Sequence, residues 1–364
     1  MAHRQVLLNP GPVTLTARVR EALAQGDCCH REAEFAYLTR EVLDGLESVY
    51  DANEHVAIMI SGSGTCAVEA MLNSLAPRQT KTLVVANGVY GERMAMMLEA
   101  QGKPVLRLDG DWLHGIDLQV VEKRLRQDDK ITHVASVHHE TTTGRLNDID
   151  GLGRLCRNLE RQLLLDAVSS FGAEEIRFSD WNLSALAGTA NKCLHGAPGV
   201  SFVLAQRDLM DNGESQANSV YLDLYRYYST QQDTGFSPFT PAVHPVFALQ
   251  AALDELESSG GWAARQSLYS DRVAEIDTVL KAAGVTTLLP GDQSSCVLTA
   301  YRLPRGMTYE RLHSDLKNDN IVIYAGQGAL GAGIFRISCM GEIDRHDMQR
   351  LKSALTAALD GCSP

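Results

Sequence analysis

Two ionisable residues stand in apolar surroundings where a charge needs a reason. Asp166 closes the run Leu163-Leu164-Leu165-Asp166, and Lys192 stands in Asn191-Lys192-Cys193, ahead of His195-Gly196-Ala197-Pro198-Gly199. A carboxylate at the end of an apolar strand is costly without a partner. Capping a helix would serve for Asp166, and plain solvation for Lys192. Upstream, Ser61-Gly62-Ser63-Gly64-Thr65 lies between an apolar run and a helical stretch. Free backbone N–H groups and the helix dipole make such a turn an anion cradle, although a glycine-rich turn needs no ligand. Cradle, acid and a lysine 26 residues beyond the acid form a constellation.

Pyridoxal 5′-phosphate requires those three features. Its phosphate needs a cradle, its aldehyde a lysine, and its ring nitrogen a carboxylate that keeps it protonated so that the ring acts as an electron sink. Gly62-x-Gly64-x-x-Ala67 also matches a dinucleotide fingerprint, which wants an acid after the second strand to hold a ribose. Ala86-Asn87-Gly88-Val89-Tyr90 supplies none. A phosphate is therefore expected and a nicotinamide dinucleotide is not. Cys28-Cys29-His30 has no second ligand pair at zinc spacing, so no metal is expected.

Short apolar runs at 55–60, 81–86, 131–137, 162–166, 185–190 and 200–205 read as strands. Helical stretches at 67–75, 91–100, 118–126 and 152–161 alternate with them. That alternation predicts an α/β fold with a mainly parallel sheet flanked by helices, and ligands of such sheets sit beyond the carboxyl ends of the strands. After about residue 240 the pattern changes. Longer helices at 246–258 and 264–282 precede strands at 296–301, 321–324 and 335–339 and helices at 309–317 and 344–359, which reads as a smaller α+β unit. The expected division is an N-terminal segment 1–14, a large domain 15–245 and a small C-terminal domain 246–364.

The chain has 33 basic and 45 acidic residues among 364, a net charge of −12. That balance argues against nucleic-acid and membrane-surface partners, yet one buried arginine can still bind a small anion. The eight cysteines are scattered without C-x-x-C, as expected for reduced thiols. The start of the sequence lacks the apolar stretch of a signal peptide, and no apolar run approaches the ~18 residues of a membrane span. A cytoplasmic location is expected.

Eight segments carry a resemblance over nearly the whole chain: LNPGPV (8–13), SGSGTCAVEAML (61–72), NGVYGERM (87–94), HETTTGRLN (139–147), LDAVSSFG (165–172), ANKCLHGAPG (190–199), FTPAVHP (239–245) and FRISCMGE (335–342). The chain resembles the class V aminotransferases of fold-type I, the small class that holds the alanine–glyoxylate and serine enzymes. HETTTG and ANKC followed by G-x-PG favour its aminoethylphosphonate branch. The resemblance implies pyridoxal 5′-phosphate, an amino donor and a 2-oxo acid as substrates, and a homodimer with shared active sites.

It also implies roles. Lys192 would bind the cofactor covalently and shuttle the proton, and Asp166 would pair with the ring nitrogen. Ser63, Gly64 and Thr65 would hold the phosphate, joined by Thr240 of the neighbouring subunit. Tyr90 would stack on the ring. Thr141, with Thr142 as the second candidate, would lie near the ring hydroxyl. Arg336 would take the substrate anion with its guanidinium fork. Pro12 and Arg31 would lie on the substrate side, pairing with Glu32 or Glu34 being the alternative for Arg31. His138, His139 and His195 are assigned no chemistry. The reaction implied is ping-pong transfer from 2-aminoethylphosphonate to pyruvate. Cys29–Phe35 matches the HR-x-x-EF of the wider class and supports the alternative, alanine or serine as donor with glyoxylate or pyruvate as acceptor.

Overall fold

The computed structural model describes residues 4–360, so Cys362 and the first three residues of the N-terminal segment lie outside it. Seven strands form the central sheet, in the order His55–Gly62, Gly199–Gln206, Leu183–Thr189, Gln162–Asp166, Ile131–Val137, Lys81–Ala86 and Val105–Asp109. Gly199–Gln206 runs antiparallel to both neighbours, and the remaining pairs are parallel. The inner strands are apolar throughout because helices cover both faces, as Leu163, Leu164 and Leu165 illustrate.

The seventh strand, Val105–Asp109, is absent from the sequence expectation. It is an edge strand whose Arg107 and Asp109 are exposed, so it carries no continuous apolar run. The helices Gly64–Leu75, Val89–Ala100 and Ile149–Asn158 begin two or three residues earlier than the apolar pattern suggests. Each first turn contains a glycine or a polar residue (Gly64 and Thr65, Gly91, Asp150 and Gly151) that interrupts the apolar pattern. The Asp148 side chain, for example, accepts a hydrogen bond from the Gly151 amide at 2.7 Å. The buried amine of Lys103 closes the other end of Gly64–Leu75, donating to the Asn73 carbonyl at 2.7 Å.

Helix Ala33–Ser48 buries Phe35, Leu38, Val42 and Leu46, spaced three and four apart, against the core of the large sheet. Val243–Ser258 packs into the same core through Val246, Leu249 and Leu253. A second sheet pairs Leu298–Arg302 with Ile334–Ser338 and the latter with Tyr324–Ala325, all antiparallel. The strand expected at 321–324 divides. Ile321–Val322 pairs in parallel with Val6–Leu7, while Tyr324 faces Arg336. Val6 and Leu8 enter the core of the smaller sheet beside Tyr269, Phe335 and Leu351. Arg4 Nε donates to Asp347 at 3.0 Å, where Asp344 and Asp347 form the capping box of helix Arg345–Leu359. No described helix is long and apolar enough to cross a membrane.

Candidate active site

The parallel strands end on one edge, and the segments that follow them build the site. Asp166 is the last residue of its strand, in register with Val137 and Ala187. Its side chain is 7% exposed and makes no ion pair among the described residues. Val168 N–H donates to Oδ1 at 2.9 Å. Burial pushes the carboxyl up to about 6, against the pull of that amide, Lys192 and Arg93.

Lys192 follows strand Leu183–Thr189 at the same edge. Its amine donates to the Pro10 carbonyl, so the N-terminal segment lies against it. Gly11, at φ +109°, leaves no room there: a Cβ would fall 2.9 Å from Lys192 Cδ. Desolvation lowers the lysine pKa, opposed by Tyr90, Cys193 and Asp166. That shift favours the neutral amine, which is the form a nucleophile or proton carrier needs.

Ser63 is the N-cap of helix Gly64–Leu75, yet its side chain makes no capping bond, and Ser63 and Thr65 are exposed. The start of the helix thus carries two exposed hydroxyls and no side-chain cap. Gly64 brings this turn close to Asp166, since a Cβ on it would lie 2.5 Å from Val168 Cγ1. Thr65, Tyr90, Arg93, Asp166 and Val168 line one cleft. The Arg93 guanidinium sits over the Tyr90 ring, 4.7 Å from its centroid.

Arg336 is 1% exposed and has no carboxylate partner within ion-pair distance among the described residues. Nε donates to the Ala325 carbonyl at 2.8 Å, and Nη1 donates to the Thr141 carbonyl at 2.8 Å and to Gln327 Oε1 at 3.2 Å. Burial lowers its pKa while Tyr90 and Glu140 raise it. Its guanidinium meets only neutral acceptors while its charge reaches Lys192, which makes it the candidate anion site.

Three contributors escaped the reading of the sequence. Glu140 is fully buried, and its carboxylate accepts from the amides of Tyr90 and Gly91 at 3.3 Å each, and from the Thr142 amide and hydroxyl at 3.1 and 2.6 Å. It holds the first turn of helix Val89–Ala100, and therefore Tyr90, to the 140–142 turn. An acid preceding small hydroxyl residues was its only signal. Arg93 could have been found from its i, i+3 spacing to Tyr90. Gln327 had none.

The other expected residues fall into place unequally. The Thr141 carbonyl holds Arg336, while the Thr142 hydroxyl accepts from the Val89 amide at 3.1 Å. Pro12 is exposed, and its carbonyl accepts from Asn9 at 2.9 Å. Arg31 is exposed and makes no ion pair with Glu32 or Glu34. It reaches the Pro238 carbonyl at 3.4 Å and lies 5.9 Å from the Phe236 ring centroid. Thr240 is exposed two residues before Ala242, whose amide donates to Ser61 Oγ at 2.8 Å. No contact joins Arg31 or Thr240 to Lys192 within the single chain. His138 bonds Ser170 Oγ at 3.0 Å, and His195 Nε2 accepts from the Gly341 amide at 2.8 Å. His139 bonds the Ser169 carbonyl at 3.2 Å, and its Nε2 has no partner. Burial drives His138 and His139 down to about 3, so both are neutral at pH 7.

An uncapped helix N-terminus, a buried acid and an aromatic face around one cleft, with a desolvated lysine in electrostatic reach of the acid and the aromatic ring, fit a flat, protonated pyridine carrying an aldehyde and a phosphate. The architecture is fold-type I, that of the pyridoxal phosphate-dependent aminotransferases. The Aminotransferase class-V family matches residues 20–351, and the chain belongs to it. It is 34% identical to 2-aminoethylphosphonate–pyruvate transaminase 1 of Burkholderia lata, over 98% of this chain and 96% of that one. It is 35% identical to the 2-aminoethylphosphonate–pyruvate transaminase of Bacillus cereus strain AH187, over 96% of each chain. Among solved structures, a subgroup IV aspartate aminotransferase from Thermus thermophilus superposes with a TM-score of 0.90 at 27% identity, covering 98% of this chain and all of that one.

Proposed function

We propose that this chain moves the amino group of 2-aminoethylphosphonate to pyruvate, giving phosphonoacetaldehyde and L-alanine, with pyridoxal 5′-phosphate as cofactor. The observation that carries the reading is Arg336, a buried cation without an acid, whose charge reaches Lys192. Phosphonate and carboxylate are both anions that a guanidinium fork binds, so one arginine serves donor and acceptor in turn. The named transaminase relatives support the choice of the phosphonate donor.

When bound, the cofactor supplies an aldehyde that condenses with amines and a ring that takes up the electron pair left on the substrate carbon. Ser63, Gly64 and Thr65 would hold its phosphate at the helix N-terminus. Asp166, as a carboxylate, keeps a proton on the ring nitrogen. Tyr90 would stack on the ring, its amide held by Glu140 and its own ring met by Arg93, and Thr141 and Thr142 would lie near the ring hydroxyl. Arg336 anchors the anionic end of the substrate so that its amine-bearing carbon meets Lys192. The Lys192 amine then accepts the proton from that carbon, a transfer worth typically 10²–10⁴-fold. Pro12 and Arg31 border the substrate entrance.

The working form is a cytoplasmic homodimer in which Thr240 of one subunit completes the phosphate site of the other. Such closed two-fold assembly is the commonest for soluble enzymes. Comparing kcat/KM for aminoethylphosphonate with pyruvate against alanine with glyoxylate tests the substrates. A higher value for the first pair is expected, and a higher value for the second would move the assignment to the alanine–glyoxylate branch.

A further inference from the structure

We propose that Gln327 is the residue by which this site distinguishes a phosphonate from a carboxylate. The inference rests on reading Arg336 as the anchor of the substrate anion.

Arginine has five N–H donors. Three of them are engaged: Nε with the Ala325 carbonyl, and both hydrogens of Nη1 with the Thr141 carbonyl and Gln327 Oε1. Only the two on Nη2 donate to no described residue. A two-point grip on an anion needs adjacent nitrogens of the fork, so Nη2 alone does not suffice and one present acceptor must leave. Ala325 and Thr141 are backbone carbonyls at 2.8 Å. Ala325 belongs to the strand paired with Arg336's own, and Thr141 to the turn tied down by Glu140. Gln327 is a side chain, only half-buried, and its 3.2 Å bond is the longest of the three. It is the acceptor that yields.

The local chain holds Gln327 in place for this exchange. It precedes the turn Gly328–Leu330 as N-cap, but its side chain makes no capping bond. Gly328, at φ +53°, presses that turn onto Trp112, where a Cβ would lie 2.7 Å from Cη2. When an anion takes the Nη1 hydrogen, the amide oxygen of Gln327 faces negative charge. A half-turn about the terminal bond then points the NH₂ at the anion instead. A carboxylate has two oxygens, and both turn toward Nη1 and Nη2 in the plane of the fork. A phosphonate has a third, and Gln327 Nε2 donates to it.

Titration calorimetry on the holoenzyme with two amine-free probes, ethylphosphonate and propionate, tests this. Gln327→Ala is expected to weaken ethylphosphonate about tenfold, the loss of one hydrogen bond to a charged group, and to change propionate less than twofold. Gln327→Glu, which places a carboxylate on Arg336, is expected to weaken both probes tenfold or more. Intact propionate binding by Gln327→Ala also shows that the site has kept its shape. Equal losses for both probes in Gln327→Ala, or a greater loss for propionate, would overturn the inference alone. A wild-type protein that binds propionate and not ethylphosphonate would overturn the phosphonate reading beneath it.

Discussion

Arg336 and Asp166 are charges taken out of water with no opposite charge within ion-pair distance among the described residues. Each therefore has a measurable signature. Arg336→Lys keeps the charge and loses the planar fork, so it is expected to raise KM for both amino donor and keto acid by roughly tenfold or more. Unchanged KM values would remove Arg336 from the anion site. For Asp166 the prediction concerns pH. Its pKa in the folded chain lies at about 6, above the ordinary 3.8, so the folded state holds the proton more tightly than the unfolded state. Stability contributed this way is full below pH 3.8 and is lost as pH rises through 6, by up to about 3 kcal/mol. Urea unfolding of the cofactor-free protein should then show Asp166→Asn gaining on the parent between pH 4 and 7. A difference that stays flat would show that Asp166 is not held in a desolvated site.

The elements explain which parts of this site were legible. Asp166, Lys192 and the Ser63–Thr65 turn could be read because each ends or follows a continuous apolar strand, and such strands announce themselves. Arg336 was legible only through the resemblance carried by FRISCMGE, since a single arginine in a short strand has no spacing to read. The edge strand Val105–Asp109 and the hairpin of His139–Glu140 with Arg145–Leu146 were missed because half-exposed or two-residue strands lack periodicity. Glu140 lay hidden with that hairpin. It accepts four hydrogen bonds that join helix Val89–Ala100 to the 140–142 turn, so Glu140→Gln leaves donors facing a donor. A loss of about 1–3 kcal/mol in stability is expected, together with weaker cofactor affinity as Tyr90 shifts. Thermal unfolding and cofactor titration check both, and a variant unchanged in both would show that Glu140 does not position Tyr90.

At the scale of the whole molecule, the N-terminal segment fastens the two sheets together. Val6–Leu7 pairs with Ile321–Val322, Pro10 meets Lys192, and Leu8 lies in the core of the smaller sheet. Thr240 is exposed, and the role proposed for it lies in a partner subunit's site. Coexpression of Lys192→Ala chains with Thr240→Ala chains tests that exchange. Acting across the interface, the mixed dimer holds one site with both defects and one intact site, so normal cofactor affinity returns for about half of the sites in mixed dimers. Acting within its own chain, Thr240 would leave no mixed site intact, and no recovery would be seen.

The most direct measurement is a single half-reaction followed by visible absorbance. The purified protein, supplied with pyridoxal 5′-phosphate, is mixed with 2-aminoethylphosphonate and no keto acid. Loss of the visible band in favour of the pyridoxamine form, faster than with alanine or serine, is the predicted result. A band that persists with aminoethylphosphonate and bleaches with alanine or serine would contradict the substrate. A protein with no visible band, even after pyridoxal phosphate is added, would contradict the cofactor itself.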